Sequence, residues 1–342
     1  MNYRLACAAA APMLLLAACN GSGGKWSPPL HEIVPAAEGR AWVFDVGGGA
    51  CADLDPVAAP ATAGALRASG KDQSTGYAAV LYQGALAIVD LYNEDVTWSN
   101  MSLPAGRATL AMGDRLAGLV AGSTGGIVTI PGGEMAWKKD LGPWLGDFDL
   151  DRADYLMPVS EDTFVLVASR APSAFGSSRI VAQKIDRSSG SWRLLGGEGD
   201  IPAISRLGAC TNVGGTLYVA GIHERVAPGT GTKAGTMQQI LRVYRYDPET
   251  GDSRMVVEEA QFDRRTEVID IAAGRDPATK ADLVSVLNGT GTLKVYEVPP
   301  SGRTSSAKFT DNYAGATSTA WVSPTRVAVE VSGALQYFDV RR

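Results

Sequence analysis

The chain has 342 residues, of which 45% are hydrophobic and 20% are charged, so it can build a large packed core and is not a disordered chain. The formal net charge is −5 and no long basic run is present, which argues against a nucleic acid partner. Glycine is frequent, at 40 residues, and short apolar runs alternate with turn residues, as expected for one large β domain or two ordinary domains.

The first 18 residues have the features of a secretion signal. Arg4 supplies positive charge, and residues 5–16 are mostly Ala and Leu, a run too short to span a bilayer. The run ends in LAAC at residues 16–19, which resembles the bacterial lipobox. The resemblance implies cleavage before Cys19, a diacylglycerol on its thiol and acylation of the new amino terminus. An ordinary signal peptide with an incidental cysteine is the alternative.

Residues 19–40 are predicted to be the lipidated cysteine and a flexible tether, because NGSGG at residues 20–24 is polar and glycine-rich. Several acyl chains anchor a protein stably, at about 0.8 kcal/mol per buried CH₂ group. Asn20, rather than Asp, follows the cysteine. By resemblance to lipoprotein sorting, this implies the outer membrane, and we expect the domain to face the periplasm.

Two further cysteines, Cys51 and Cys210, would then lie in an oxidising compartment. A disulfide between them and two separate buried thiols are both open alternatives. The sequence has no CxxC pair and no histidine-bearing metal pattern. We therefore predict no metal, no cofactor and no catalytic residue.

A four-strand unit recurs six times along the chain. The second strand of each unit is very apolar, at residues 77–82, 116–122, 164–169, 217–222, 283–288 and 327–332. The third strands alternate, at residues 85–91, 126–130, 179–185, 240–246, 292–298 and 334–340. The fourth strands carry a large apolar side chain that we expect to pack between neighbouring units: Trp98, Trp137, Trp192, Met255 and Phe309.

The sixth unit ends without a fourth strand, and AWVFDV at residues 41–46 has no unit of its own. Segments such as AIVDLYNEDVTW and AWVSPTRVAVEVSGALQYFDV resemble sequences of the YVTN and WD40-like propeller class. The resemblance implies an all-β fold, a single β-propeller over residues 41–342. We expect six four-stranded blades, with the N-terminal strand closing the last one. Seven blades are the alternative if residues 47–76 hold a further unit, and two β domains are a weaker one.

Three enlarged connections would open on one face of such a propeller: residues 142–153, 170–178 and 223–239. Loops on a rigid scaffold often bind partners, although insertion without function is the alternative. The residues predicted for a partner-binding patch are Trp144, Asp147, Asp149, Phe175, His223, Arg225, Lys233 and Met237.

Motifs for catalysis or ion binding are weak. GTGTKAG at residues 229–235 lacks the helix that a P-loop requires, and DFDLD at residues 147–151 departs from an EF-hand loop. The chain has two histidines and no GxSxG motif. On predicted first strands, Arg206, Glu267 and Asp270 could form a channel ion pair or one end of a metal site.

These features predict a non-catalytic, envelope-anchored lipoprotein. Its propeller would bind a protein partner, such as an envelope assembly, secretion or surface-structure component. Two alternatives remain: a periplasmic hydrolase or lyase that uses the channel mouth, and a ligand-binding receptor or toxin-neutralising lipoprotein. Scarce histidine and the absence of a carboxylate cluster in the sequence favour binding over catalysis.

Overall fold

The computed structural model describes residues 31–35, 41–45, 66–67, 77–82, 85–90, 95–101, 108–113, 115–171, 178–188, 191–202, 204–227, 236–260, 267–276, 278–323, 325–331 and 334–340. These residues form strands almost throughout, with one short helix. Among them, no helix has the length and apolar character that crossing a membrane would require.

The strands form an N-terminal hairpin followed by six antiparallel sheets, each of which runs in sequence order. The hairpin pairs β1 (His31–Pro35) with β2 (Ala41–Asp45). Sheet one contains β3 (Leu66–Arg67), β4 (Tyr77–Tyr82), β5 (Ala85–Asp90) and β6 (Asp95–Trp98). Sheet two contains β7 (Ala108–Met112), β8 (Leu116–Ala121), β9 (Thr124–Thr129) and β10 (Met135–Asp140).

Sheet three follows a short helix, α1 (Gly142–Asp147), and contains β11 (Arg152–Pro158), β12 (Thr163–Arg170), β13 (Arg179–Ser188) and β14 (Ser191–Asp200). Sheet four contains β15 (Arg206–Val213), β16 (Thr216–Ala227), β17 (Thr236–Tyr246) and β18 (Ser253–Glu259). Sheet five contains β19 (Val268–Arg275), β20 (Asp282–Asn288), β21 (Thr292–Val298) and β22 (Phe309–Asn312). Sheet six contains β23 (Ala316–Ser323), β24 (Arg326–Val331) and β25 (Ala334–Asp339).

The second strands are buried on both faces, which is why their sequences are continuous apolar runs. Every residue of β8 and of β20 is buried, as are seven of the eight residues of β12. All six predicted second strands are confirmed, as β4, β8, β12, β16, β20 and β24.

The apolar clusters of the described residues each span consecutive sheets. Leu116 of sheet two and Phe164 of sheet three lie in one cluster, and Val165 and Val219 join sheets three and four in the next. Further clusters connect sheet four to sheet five and sheet five to sheet six. The sheets therefore stack face to face in chain order.

The first strands of consecutive sheets also lie side by side, as β7 with β11, β15 with β19 and β19 with β23. Four of them carry a register shift near their amino-terminal end, in β11, β15, β19 and β23. Meandering sheets that stack in order around adjacent first strands define a β-propeller, as the repeat predicted.

The hairpin at the N-terminus differs from the prediction. Residues 41–46 were expected to add a fourth strand to sheet six, but β2 pairs with β1, and sheet six has three strands among the described residues. Five residues connect β1 to β2, so this local pairing closes a much shorter loop than pairing with β25 would. β1 contacts both β23 and β3, and it lies in the segment that the sequence assigned to the tether.

The large fourth-strand side chains are only partly packed between units. Trp192 makes an edge-to-face contact with Phe164, with ring centroids 5.3 Å apart. Trp137, Met255 and Phe309 pack against clusters that join neighbouring sheets. Trp98 is an exception, because it is 37% exposed.

Candidate functional site

The link between sheets two and three contains α1, whose apolar side anchors it to the core. Pro143 occupies the first turn, where a missing N–H costs no hydrogen bond, and Leu145 is buried in the cluster of sheets two and three. Trp144 is half-buried against that cluster, with its ring centroid 5.3 Å from that of Phe148. Asp147 is exposed at the end of the helix.

Two arginines face each other at the mouth of the β12–β13 hairpin, where Arg170 pairs in register with Arg179. Arg170 forms an ion pair with Asp149 of the α1 link. Arg179 contacts Asp200 at 3.1 Å through Nε and donates from Nη1 to the carbonyl oxygen of Phe148 at 2.7 Å. These contacts fasten the link to the end of sheet three.

The described residues of the enlarged connection of sheet four are all in strands. The sequence predicted a loop over residues 223–239, but β16 and β17 continue to pair from His223 with Ile240 out to Ala227 with Thr236. Backbone hydrogen bonds therefore hold Arg225 and Met237 on a projecting hairpin. Met237 is 53% exposed, and Arg225 donates from Nε to Gln238 at 3.2 Å.

His223 lies on the side of the hairpin that faces sheet three. Burial lowers the pKa of its imidazole, and the charges of Arg242 and Arg225 lower that pKa further. Its Nδ1 atom is buried and has no hydrogen-bond partner among the described residues.

The other side of the same hairpin faces sheet five and carries an ion-pair chain. Arg206 contacts Glu224 at 3.1 Å and Glu267 at 2.9 Å, and Gln239 donates to Glu224 at 3.0 Å. Asp270 is buried and accepts the backbone N–H groups of Ile271 at 2.9 Å and Thr319 at 2.8 Å. Arg206 and Glu267, two of the three charges predicted for a channel ion pair, therefore contact each other.

A cavity of about 550 Å³ lies between the ends of sheets three and four, and we call it the rim cavity. It is lined by Arg170, Ser178, Arg179, Ile180, Asp200, Ile201, Pro202, Ile204, Ser205, His223 and Glu224. Its floor is apolar, because Ile180, Ile201 and Ile204 belong to the cluster that joins these two sheets. The polar groups surround its upper part, at the strand ends.

The structure brings most of the predicted patch to this end of the propeller. We define the rim surface as the patch residues that the structure describes: Trp144, Asp147, Asp149, His223, Arg225 and Met237. Phe175 and Lys233 lie outside the described residues, as do Cys19 and Cys51. Cys210 is fully buried between sheets three and four, and its pairing with Cys51 stays a prediction.

Sequence reasoning missed three charged residues of the cavity, Arg170, Arg179 and Asp200. A signal was present for the arginines, because residues 170–179 begin and end with Arg around a loop of small residues. When a loop connects two antiparallel strands, the residues at its two ends lie opposite each other in the ladder.

No protein-family model and no curated protein matches the chain. Among solved structures, the Dos1 propeller is similar at 10% identity over 92% of this chain and 90% of that chain, with a TM-score of 0.47. A luciferin-regenerating enzyme is similar at 10% identity over 81% and 85%, with a TM-score of 0.46. The yeast Nup82-Nup159-Nup116 nucleoporin complex is similar at 9% identity over 84% of each chain, with a TM-score of 0.43. Because all three TM-scores lie below 0.5, the fold assignment rests on this chain's own sheet order and packing.

Proposed function

We propose that this protein is a lipoprotein of the outer membrane whose propeller binds a protein partner through the rim surface. The projecting β16–β17 hairpin carries this proposal. It holds Met237 more than half exposed on paired backbone, on the face of the hairpin opposite to that of Arg225, because Met237 pairs with Val226. Because the backbone under this side chain is already ordered by strand pairing, binding there would cost side-chain but little backbone conformational entropy.

The surroundings of the hairpin also suit a binding surface. Trp144 is half-buried on α1, and the ion pair between Asp149 and Arg170 fastens this link to sheet three. Trp and Arg side chains tend to dominate the binding energy of protein interfaces, and a few such positions cost about 2 kcal/mol or more on truncation. A partner drawn from envelope assembly, secretion or surface-structure systems fits the anchoring proposed below.

Capture of the partner from solubilised envelopes tests this function. Met237→Glu places a charge on the hairpin, whereas Met135→Glu is a matched control, since Met135 is 48% exposed on β10 of sheet two. We expect at least a tenfold loss of one stoichiometric partner with Met237→Glu and none with Met135→Glu. Equal recovery with both variants would contradict the rim surface as the binding site.

Lipid on Cys19 would hold the domain at the membrane, with the following residues as its tether. Metabolic labelling with a fatty acid analogue tests this anchoring. Cys19→Ser should abolish the label and give an uncleaved precursor or a soluble periplasmic form. A Cys19→Ser protein that still carries lipid and fractionates with the outer membrane would contradict it.

We also propose that the β1–β2 hairpin closes the propeller ring by lying between sheets six and one. The contacts of β1 with β23 and with β3 support this arrangement. The ring then has seven positions: the hairpin fills one, and the six larger sheets fill the others. The repeat had predicted six positions.

A further inference from the structure

We infer that the rim cavity binds a carboxylate that carries an aliphatic group, with Arg170 and Arg179 as the charged contacts. The inference stands apart from the proposed protein partner, because it concerns a defined cavity and a class of chemical group. The carboxylate can belong to a free aliphatic acid or to the C-terminus of a peptide.

The arginine pair is the first observation. Arg170 and Arg179 are directly opposite each other in the β12–β13 ladder, where two like charges repel unless anions neutralise them. Their present partners are carboxylates, from Asp149 and Asp200. The geometry at each guanidinium therefore already accepts a carboxylate.

The exposure of these groups shows which partner can be replaced. The side chains of Arg170 and Arg179 are 25% and 31% exposed, whereas those of Asp149 and Asp200 are 79% and 61% exposed. An exposed carboxylate can turn to water at small cost, but a largely buried guanidinium must stay neutralised. A guanidinium also has five N–H donors and can serve more than one acceptor at once.

The remaining lining defines the class of ligand. Of the two serines at the cavity, Ser178 donates its hydroxyl proton to the carbonyl oxygen of Ile204, whereas Ser205 accepts the backbone N–H of Glu224 and can donate its own hydroxyl proton to a ligand. The side of the hairpin with His223 also faces the cavity. The floor of Ile180 and Ile204 suits an aliphatic group. Asp200 also lines the cavity, so a carboxylate with one negative charge fits better than a phosphate with two. The volume of about 550 Å³ lies in the usual range for small-molecule sites.

Two matched pairs of probes test the inference by isothermal titration calorimetry. They are octanoate with octanamide, and N-acetyl-glycyl-leucine with its C-terminal amide. The protein is the full chain carrying Cys19→Ser, without detergent, so that acyl chains and micelles do not bind the probes. We expect at least one acid to bind about tenfold or more tightly than its amide, since a charge-assisted hydrogen bond is lost in the amide. Octanoate alone would indicate a free acid as the source, and the peptide acid alone would indicate a chain terminus.

Substitutions test whether the acid binds at the rim cavity. Arg179→Gln should weaken the acid about tenfold or more, whereas Arg193→Gln, at an exposed arginine near the other end of sheet three, should leave it unchanged. Arg170→Gln is the second variant if Arg179→Gln fails to fold. The inference is overturned if neither acid binds at millimolar concentration, if acid and amide bind equally, or if the cavity variants bind as well as Arg193→Gln.

Discussion

Gly118→Ala should destabilise the propeller strongly, because the backbone of β11 lies very close to β8 at this glycine. A Cβ atom at Gly118 would lie 2.0 Å from the carbonyl oxygen of Leu156 and 2.9 Å from Cε1 of Phe164. Non-bonded carbon and oxygen atoms are normally about 3.3 Å or more apart, so sheets two and three would have to separate by roughly 1 Å. A gap of that size forfeits about a quarter to a half of each dispersion contact across the interface.

The expected loss is about 3 kcal/mol, the upper end for overpacked cores, because the atom in the way belongs to the backbone and cannot rotate aside. For a domain of this size, that loss corresponds to a fall of about 6 °C in melting temperature. Thermal unfolding followed by circular dichroism measures it.

Gly126→Ala is the matched control, because its Cβ would also lie 2.0 Å from another atom, here Cε of Met101. The end of a methionine side chain can move, so we expect a loss of about 1 kcal/mol or less. If both variants melt alike, or if Gly118→Ala melts with the wild type, the close stacking of sheets two and three described above is wrong.

Three further predictions concern a contact between sheets, a titration and the ring closure. Tyr218→Phe should lower the free energy of unfolding by about 1–3 kcal/mol in chemical denaturation, because the buried hydroxyl of Tyr218 donates to Asp282 of sheet five at 2.5 Å. Tyr337→Phe, at an exposed tyrosine, should cause no measurable loss. The pKa of His223 should lie below 6.5 in an NMR titration. The neutral imidazole therefore contributes stability that is fully present above pH 6.5 and is lost as the pH falls through the lowered pKa. His223→Gln should remove that part of the pH dependence of stability. Deleting residues 31–46 should lower the melting temperature markedly, since the deletion exposes the sides of β23 and β3 that contact β1. An unchanged melting temperature would argue against ring closure by this hairpin.

The repeated sheets were predictable from the sequence because burial on both faces leaves a strong signature. Strands such as β8 and β20 have no solvent-facing side, so their apolar runs stand out between glycine-rich turns. Stacking between sheets followed from the recurrence of these runs.

The extension of β16 and β17 in sheet four could not be predicted from an apolar pattern. Residues such as His223 and Arg225 are polar and partly exposed, and their strands are held by backbone pairing, which depends little on side-chain type. The β1 strand was missed for a related reason, because five residues with a proline at the end give too short a pattern.

The sequence predicted a region for the candidate site but not its contacts. The described ends of the three enlarged connections lie near one another, since Arg170 pairs with Asp149 of the α1 link and lines the same cavity as His223. Binding of a partner there stays a prediction. The pairing of Arg170 with Arg179, and the cavity beside it, depend on the register of β12 and β13 and on the position of the next sheet. Composition and spacing do not determine those quantities.

Photo-crosslinking in the native envelope tests the central claim, that the rim surface binds a protein partner, most directly. A benzophenone amino acid would replace Met237 in one protein and Met135 in another, two methionines of similar exposure on different sheets. We expect one discrete protein adduct from position 237 and none from position 135. The same adducts from both positions, or an adduct from position 135 alone, would contradict it.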